Sequence, residues 1–311
     1  MFFKFIFNYF LEKFNLLIIY RFGSSLGDQL CLTAIAKRLN VNNVKIFLFT
    51  NHPYLFRNNP NFYLVINCKN YFIKKILGKL FKILECESIL EYKSKISHEN
   101  SEKYFIANFN KPYHLANIHA LHFNRYSQKN DNNLNCEFFF SKNEIINFEK
   151  KFKFKKKFAL VQSEAKLSFN PNKNWYPDRF NKIVDNLNFV DWIQIGSKED
   201  YKILNAFDMC GNDIREIAYI MSKCEFVLCL EGFINHLSSC FEKKSFIIKS
   251  GFVPNSTVSY KNSYFIKSKE KIYCDPCYLL TKCPVNDYPC MNNISSDDVI
   301  NFIRKELDKS I

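Results

Sequence analysis

Residues 16–39, LLIIYRFGSSLGDQLCLTAIAKRL, constrain this chain more than any other stretch. A continuous apolar run from Leu16 to Tyr20 is followed by a glycine-bearing turn, Gly23 to Gly27. Apolar residues at helical spacing follow it: Leu30, Ala34, Ile35 and Leu39. A buried strand, a turn and an amphipathic helix in that order open an α/β unit with a parallel sheet. Asp28 falls where the helix opens. Its bland reading is a carboxylate stabilised by the open N–H groups and dipole of a helix start. The sharper reading is a base at the carboxyl end of a parallel strand, where open α/β sheets take their ligands. Gly23 and Gly27 would let a second molecule approach the backbone.

The same grammar continues down the chain. Strands are expected over 44–50, 63–68, 104–107, 158–162, 191–195, 225–230 and 245–250, and helices over 71–84, 141–152, 177–187, 214–224, 235–241 and 296–307. A length of 311 residues is enough for two cores. The basic segment KFKFKKKF ends at Phe158 and marks a boundary near residue 155. The expectation is two Rossmann-like α/β domains, 1–154 and 155–311.

Charge and cysteine content narrow the partners. A net charge of +14 favours anionic ligands. The basic residues are spread along the chain and form no zipper, finger or RNA-binding aromatic signature, so a specific nucleic-acid partner is not expected. With only 7 glycines against 34 phenylalanines, the placement of Gly23, Gly27, Gly196 and Gly232 is informative. Twelve cysteines without a secretory leader pattern point to a reducing cytosol and mostly free thiols. No apolar run reaches the ~18–20 residues that span a bilayer. The opening MFFKFIFNYFLEKF could lie along a membrane interface or pack on the first domain. YFIKKILGKLFKIL carries Lys74, Lys75, Lys79 and Lys82 on a polar side suited to water or to anionic lipid. The expected location is cytoplasmic, with peripheral contact at the inner face of the inner membrane.

Two clusters raise the question of metal. His114, His119 and His122 share a helix face only in part and have no HExxH pattern, which favours a polar pocket or the surface. Cys274, Cys277, Cys283 and Cys290 form C-x₂-C-x₅-C-x₆-C. The leading pair is a good half-site for structural zinc, whereas the later intervals are irregular and leave thiol packing or a labile disulfide open.

Four segments, in order, resemble glycosyltransferase family 9, the lipopolysaccharide heptosyltransferase-like enzymes of the GT-B fold. GSSLGDQLCLTAIAKRL is followed at the expected distance by a strand and NPNF. NKNWYPDRF is similar to the family's Lys-x-Trp-Pro segment, CEFVLCLEGFINHLSSCF to its strand–acidic–Gly–helix–His segment, and CDPCYLLTKCPVNDYPCM to its C-terminal cysteine segment. The resemblance covers nearly the whole chain. It implies a GT-B architecture, two Rossmann-like domains facing a central cleft, with the acceptor on the N-terminal side and the donor on the C-terminal side. It implies inverting transfer of a sugar, heptose among the candidates, from a nucleotide-diphosphate donor such as ADP-heptose. The acceptor would be lipopolysaccharide, lipooligosaccharide or another cell-envelope or lipid-linked glycan. No cofactor is required for catalysis, and the cysteine pattern is explained without metal.

By the same resemblance Asp28 is the general base, and Lys173 pairs with donor phosphate; Ser163, just past a strand core, is placed as a further candidate donor to it. Glu231, Gly232 and His236 form the donor-site motif, the glycine and a helix start offering room and N–H groups to an anion. Glu199 contacts the nucleotide ribose. The family most often has Asp, a small residue and Gly where this chain has Glu231 directly before Gly232, so the donor sugar stays open. The rival readings are a nucleotide-sugar epimerase of the same fold and a degenerate, non-catalytic binding protein. The presence of Asp28, Lys173 and His236 argues against the second.

Overall fold

The structure is a computed structural model and describes residues 2–40, 43–86, 88–92, 114–116, 134–166, 170–279 and 283–309. It divides into two compact units, the first drawn from residues 1–96 and 113–142 and the second centred on 143–311.

In the first unit, α1 (Phe2–Lys13) leads into β1 (Leu16–Arg21) and α2 (Leu26–Asn40). β2 (Lys45–Thr50), β3 (Leu64–Asn67), α3 (Tyr71–Leu84) and β4 (Ile89–Glu91) follow. The strands form a parallel sheet in the order β3-β2-β1-β4. The apolar run of β1 becomes its centre, with Leu17, Ile19 and Tyr20 buried, and α2 buries Leu30, Ala34, Ile35 and Leu39. The chain steps outward from β1 through β2 and β3, then crosses back to lay β4 on the other side of β1. This reversal is a topological switch point, and the carboxyl ends of β1 and β4 flank it. α2 starts at Leu26, so Asp28 sits inside its first turn rather than at its opening. Three-residue β4 escaped the sequence reading, and the strand expected at 104–107 lies outside the described residues.

The second unit begins with α4 (Lys142–Lys151) and β5 (Phe158–Val161), followed by α5 (Arg179–Asn186), β6 (Asp191–Gln194) and β7 (Ala206–Asp208). Then come α6 (Ile214–Lys223), β8 (Phe226–Leu230), α7 (Phe233–Ser239), β9 (Lys244–Ile248) and β10 (Ser263–Ile266). Short α8 (Pro289–Asn292) and α9 (Ser296–Asp308) close the chain. The six strands are parallel in the order β10-β9-β8-β5-β6-β7, with the switch point between β5 and β8. Both of those strands are buried along their whole length, which is why they read as unbroken apolar runs. Trp175, Phe180, Trp192, Phe226 and Phe246 fill the core beside them. At the start of α9, Ser295 and Asp298 form a reciprocal capping box.

The division at 142/143 precedes the charged segment near residue 155, for a physical reason. The buried Arg215 guanidinium of α6 donates to both oxygens of Glu144, at 2.5 and 3.0 Å, and Tyr219 packs on Phe148 with ring centroids 5.1 Å apart. These contacts fasten α4 to the second unit. Among the described residues, no helix is long and apolar enough to cross a membrane.

Candidate active site

Asp28 is held from the strand ends that flank the first switch point. Arg21, the last residue of β1, brings Nη2 to 3.3 Å from Asp28 Oδ2. Its Nη1 donates to the carbonyl of Tyr92, just past β4, at 2.9 Å, and the Tyr92 hydroxyl donates to the Asp28 carbonyl at 2.8 Å. Gln29 fixes the intervening turn by donating to the Gly23 carbonyl at 2.8 Å while accepting from Thr50 at 2.7 Å. A Cβ at Gly23 would stand 3.0 Å from the Arg21 guanidinium carbon, so this glycine makes room for the arginine. The Asp28 side chain keeps 19% of its surface exposed. Among the described residues no hydrogen bond reaches its Oδ1.

In the second unit, Lys173 and Glu231 form an ion pair, and a third residue joins them. Glu231 follows β8 directly, and its Oε1 lies 2.5 Å from Lys173 Nζ. Its Oε2 lies 3.2 Å from the Nζ of Lys249, which follows β9 and is fully buried. Lys249 also donates to the carbonyls of Val253 and Ser250, at 2.5 and 3.2 Å. Burial alone would raise the Glu231 carboxyl, but Lys173 and Lys249 outweigh it and hold the group at about 2. Burial draws the Lys249 ammonium below its ordinary value, and Glu231 restores part of the loss.

Trp175 anchors the segment that carries Lys173. Its indole is buried, donates to the Ile294 carbonyl at 3.0 Å and meets Phe180 edge-on, while Asn174 accepts from the Ala165 N–H at 2.7 Å. The tryptophan is an anchor, and Lys173 projects over the Phe252 ring at 4.9 Å. A Cβ on Gly232 would meet nothing within 4 Å, so open space adjoins the backbone beside Glu231.

The remaining candidates divide. Ser163 lies just past β5, fully buried, with Gln194 Nε2 at 3.5 Å from its Oγ. His236 is buried in α7, and its Nδ1 lies 2.6 Å from the Tyr260 hydroxyl. Glu199 is exposed on the loop after β6, where its neighbour Asp200 takes the Ser197 N–H at 3.0 Å. His114 is buried and accepts from the Ala116 N–H; His119 and His122 lie outside the described residues. Arg21, Tyr92 and Lys249 were not singled out from sequence. Arg21 and Lys249 each left a signal, a basic residue ending an apolar strand run, while Tyr92 left none.

All twelve cysteines are free thiols. Cys274, Cys277, Cys283 and Cys290 line one cavity of about 10 Å³ together with Asn172, Ser250 and Phe252. No three of these sulfurs lie within 4.8 Å of one another. Burial raises the Cys274 and Cys290 thiols and pushes Cys277 up to about 11.

No family model and no curated protein matches this sequence. Solved structures do match. A glycosyltransferase family 9 protein from Veillonella parvula gives a TM-score of 0.68 at 10% identity, over 94% of this chain and 97% of that one. The ADP-heptose lipopolysaccharide heptosyltransferase II of E. coli gives 0.65 at 11%, over 94% and 99%. The iron-containing dodecameric glycosyltransferase TibC of enterotoxigenic E. coli gives 0.67 at 12%, over 95% and 77%. Likeness at such identity is likeness of fold. Two parallel α/β units with these matches give the chain the GT-B fold found in family 9 glycosyltransferases and heptosyltransferases.

Proposed function

We propose that the chain is an inverting glycosyltransferase that moves a sugar from a nucleotide-diphosphate donor to a cell-envelope glycan acceptor. The observation that carries this reading is the cluster at the ends of β8 and β9. Two ammonium groups share one carboxylate there, beside the open space at Gly232. A donor phosphate is the kind of anion that such a cationic cluster attracts. As the bond to the sugar breaks, charge accumulates on the departing diphosphate, and a cation already fixed in a low-dielectric pocket stabilises it without reorganisation. Lys173 is the partly exposed member and would meet the phosphate. Lys249, wholly buried, would keep Glu231 ionised as Lys173 turns to the ligand.

Asp28 would be the base. With Oδ2 on Arg21, its Oδ1 would take the proton of the acceptor hydroxyl as that oxygen attacks the anomeric carbon opposite the leaving diphosphate. This displacement inverts the centre and needs no covalent intermediate. ADP-heptose as donor is supported by solved structures of the same fold, TibC bound to ADP-D-β-D-heptose and WaaC bound to an ADP-2-deoxy-2-fluoro heptose, and a lipopolysaccharide acceptor by E. coli lipopolysaccharide heptosyltransferase II.

The test is a donor panel of nucleotide-diphosphate sugars, with melting temperature read first and product second. ADP-heptose should raise the melting temperature, and Lys173→Ala should weaken donor binding about tenfold or more. With acceptor present, the product should carry the opposite anomeric configuration. Interconversion of the free donor's sugar would support an epimerase instead, and binding without any product would support a non-catalytic protein.

We also propose that the cysteine cavity is a structural metal site. Four soft thiol donors around one small cavity suit zinc or iron, and TibC is iron-containing. The sulfurs stand wider apart than a tetrahedral set, so metal binding would draw them together. The ion would brace the fold; the transfer step itself is assigned to Asp28 and Lys173.

A further inference from the structure

α1 and α3 cover the same side of the first unit. Their inner residues, Leu11 and Phe81, share one apolar cluster with Tyr20 and Ile89. Their outer residues are what a water-facing helix should not carry. On α3, Phe72 is 72% exposed, Ile76 65% and Ile83 72%, and on α1, Phe5 is 72% and Tyr9 62% exposed. Ile76 and Ile83 follow Phe72 at helical spacing and form one stripe along the outside of α3. A surface helix ordinarily turns polar where its opposite face is buried. This one turns out rings and branched aliphatics instead, and contiguous apolar exposure of this kind marks an interaction surface.

The charges beside the stripe define the partner. α3 contains Lys74, Lys75, Lys79 and Lys82 and no acidic residue. None of the four has an ion-pair partner among the described residues. A second copy of the chain would set these lysines against their own counterparts. An anionic bilayer offers apolar depth for the stripe and phosphate for the ammonium groups in a single layered surface.

We infer that the outer face of α1 and α3 docks on an anionic lipid bilayer, with the Phe72–Ile76–Ile83 stripe and Phe5 and Tyr9 below the headgroups and the lysines at phosphate level. The inference stands on surface geometry and does not rest on the transferase reading.

The experiment is vesicle flotation of the full chain. One vesicle is phosphatidylethanolamine with roughly one-quarter phosphatidylglycerol, and the other is phosphatidylcholine alone. The chain should float with the first and stay behind with the second. Phe72→Ser with Ile76→Ser, both at exposed positions, should lower the bound fraction about tenfold without moving the melting temperature. Lys→Gln at 74, 75, 79 and 82 should lower it by a similar factor. Failure to float with the anionic vesicles would overturn the inference, as would flotation unaffected by the substitutions. A stable dimer that the Phe72/Ile76 variant splits would also overturn it, assigning the face to a second copy.

Discussion

Arg21 Nη2 lies 3.3 Å from Asp28 Oδ2, and the same guanidinium donates to the Tyr92 carbonyl at 2.9 Å. One arginine thus ties the carboxylate to both strands of the first switch point. Asp28→Asn keeps the shape and removes the proposed base. Transfer should fall by ~10²–10⁴-fold in kcat, while donor affinity and melting temperature hold. Steady-state kinetics beside donor titration separate the two. Full activity in Asp28→Asn would remove the base from the proposal.

Gly23→Ala tests the arrangement at one remove. The added Cβ would press on the guanidinium carbon of Arg21 from 3.0 Å, and the flexible end of that side chain must shift. Asp28 then loses its orienting partner but keeps its charge. A drop in kcat of about tenfold is expected, smaller than for Asp28→Asn and without loss of donor binding.

Glu231→Gln leaves Lys173 and the buried Lys249 without their shared carboxylate. Breaking such a buried pair costs about 3–5 kcal/mol, which denaturant titration at neutral pH should show. The same group sets an acid limit. Its folded value, about 2, lies below its ordinary 4.5. The stability it contributes is therefore complete above about pH 4.5 and is lost as pH falls toward 2. Denaturant midpoints of the wild type should fall across that window, and those of Glu231→Gln should fall less steeply.

The metal proposal is checked by elemental analysis of the purified chain. About one zinc or iron per chain is expected, and Cys277→Ser should lose it together with several degrees of melting temperature. A chain without metal whose melting point ignores chelator would leave these residues as packed thiols.

Much of the fold was legible because its central strands are buried on both faces. Leu16 to Tyr20 and EFVLCL read as unbroken apolar runs, and the switch from run to glycine to helical spacing located the first α/β unit. Three-residue β4 and β7 were not legible, since so few residues carry no period. Asp28 and Glu231 stood out because each follows an apolar strand run beside a glycine, and Lys173 because of the Lys-x-Trp segment around it. Their partners did not, because tertiary packing rather than local pattern decides which side chains meet. Glu231 and Lys249 are separated by α7 and β9, and Arg21 and Tyr92 by most of the first unit. The boundary was read from a run of lysines, whereas α4 is assigned by what Arg215 grips.

The cysteine segment is fastened to the strand end that carries Lys249. The Cys277 N–H donates to the Gly251 carbonyl at 2.7 Å, the Tyr278 N–H to Phe252 at 2.9 Å, and Asn172, next to Lys173, donates to Leu279 at 2.9 Å. Both lysines therefore sit next to backbone that the cysteine segment holds by hydrogen bonds. A reagent that alkylates Cys277 would therefore act on the segment next to both ammonium groups. On the reading proposed above, donor affinity would then fall when these thiols are modified.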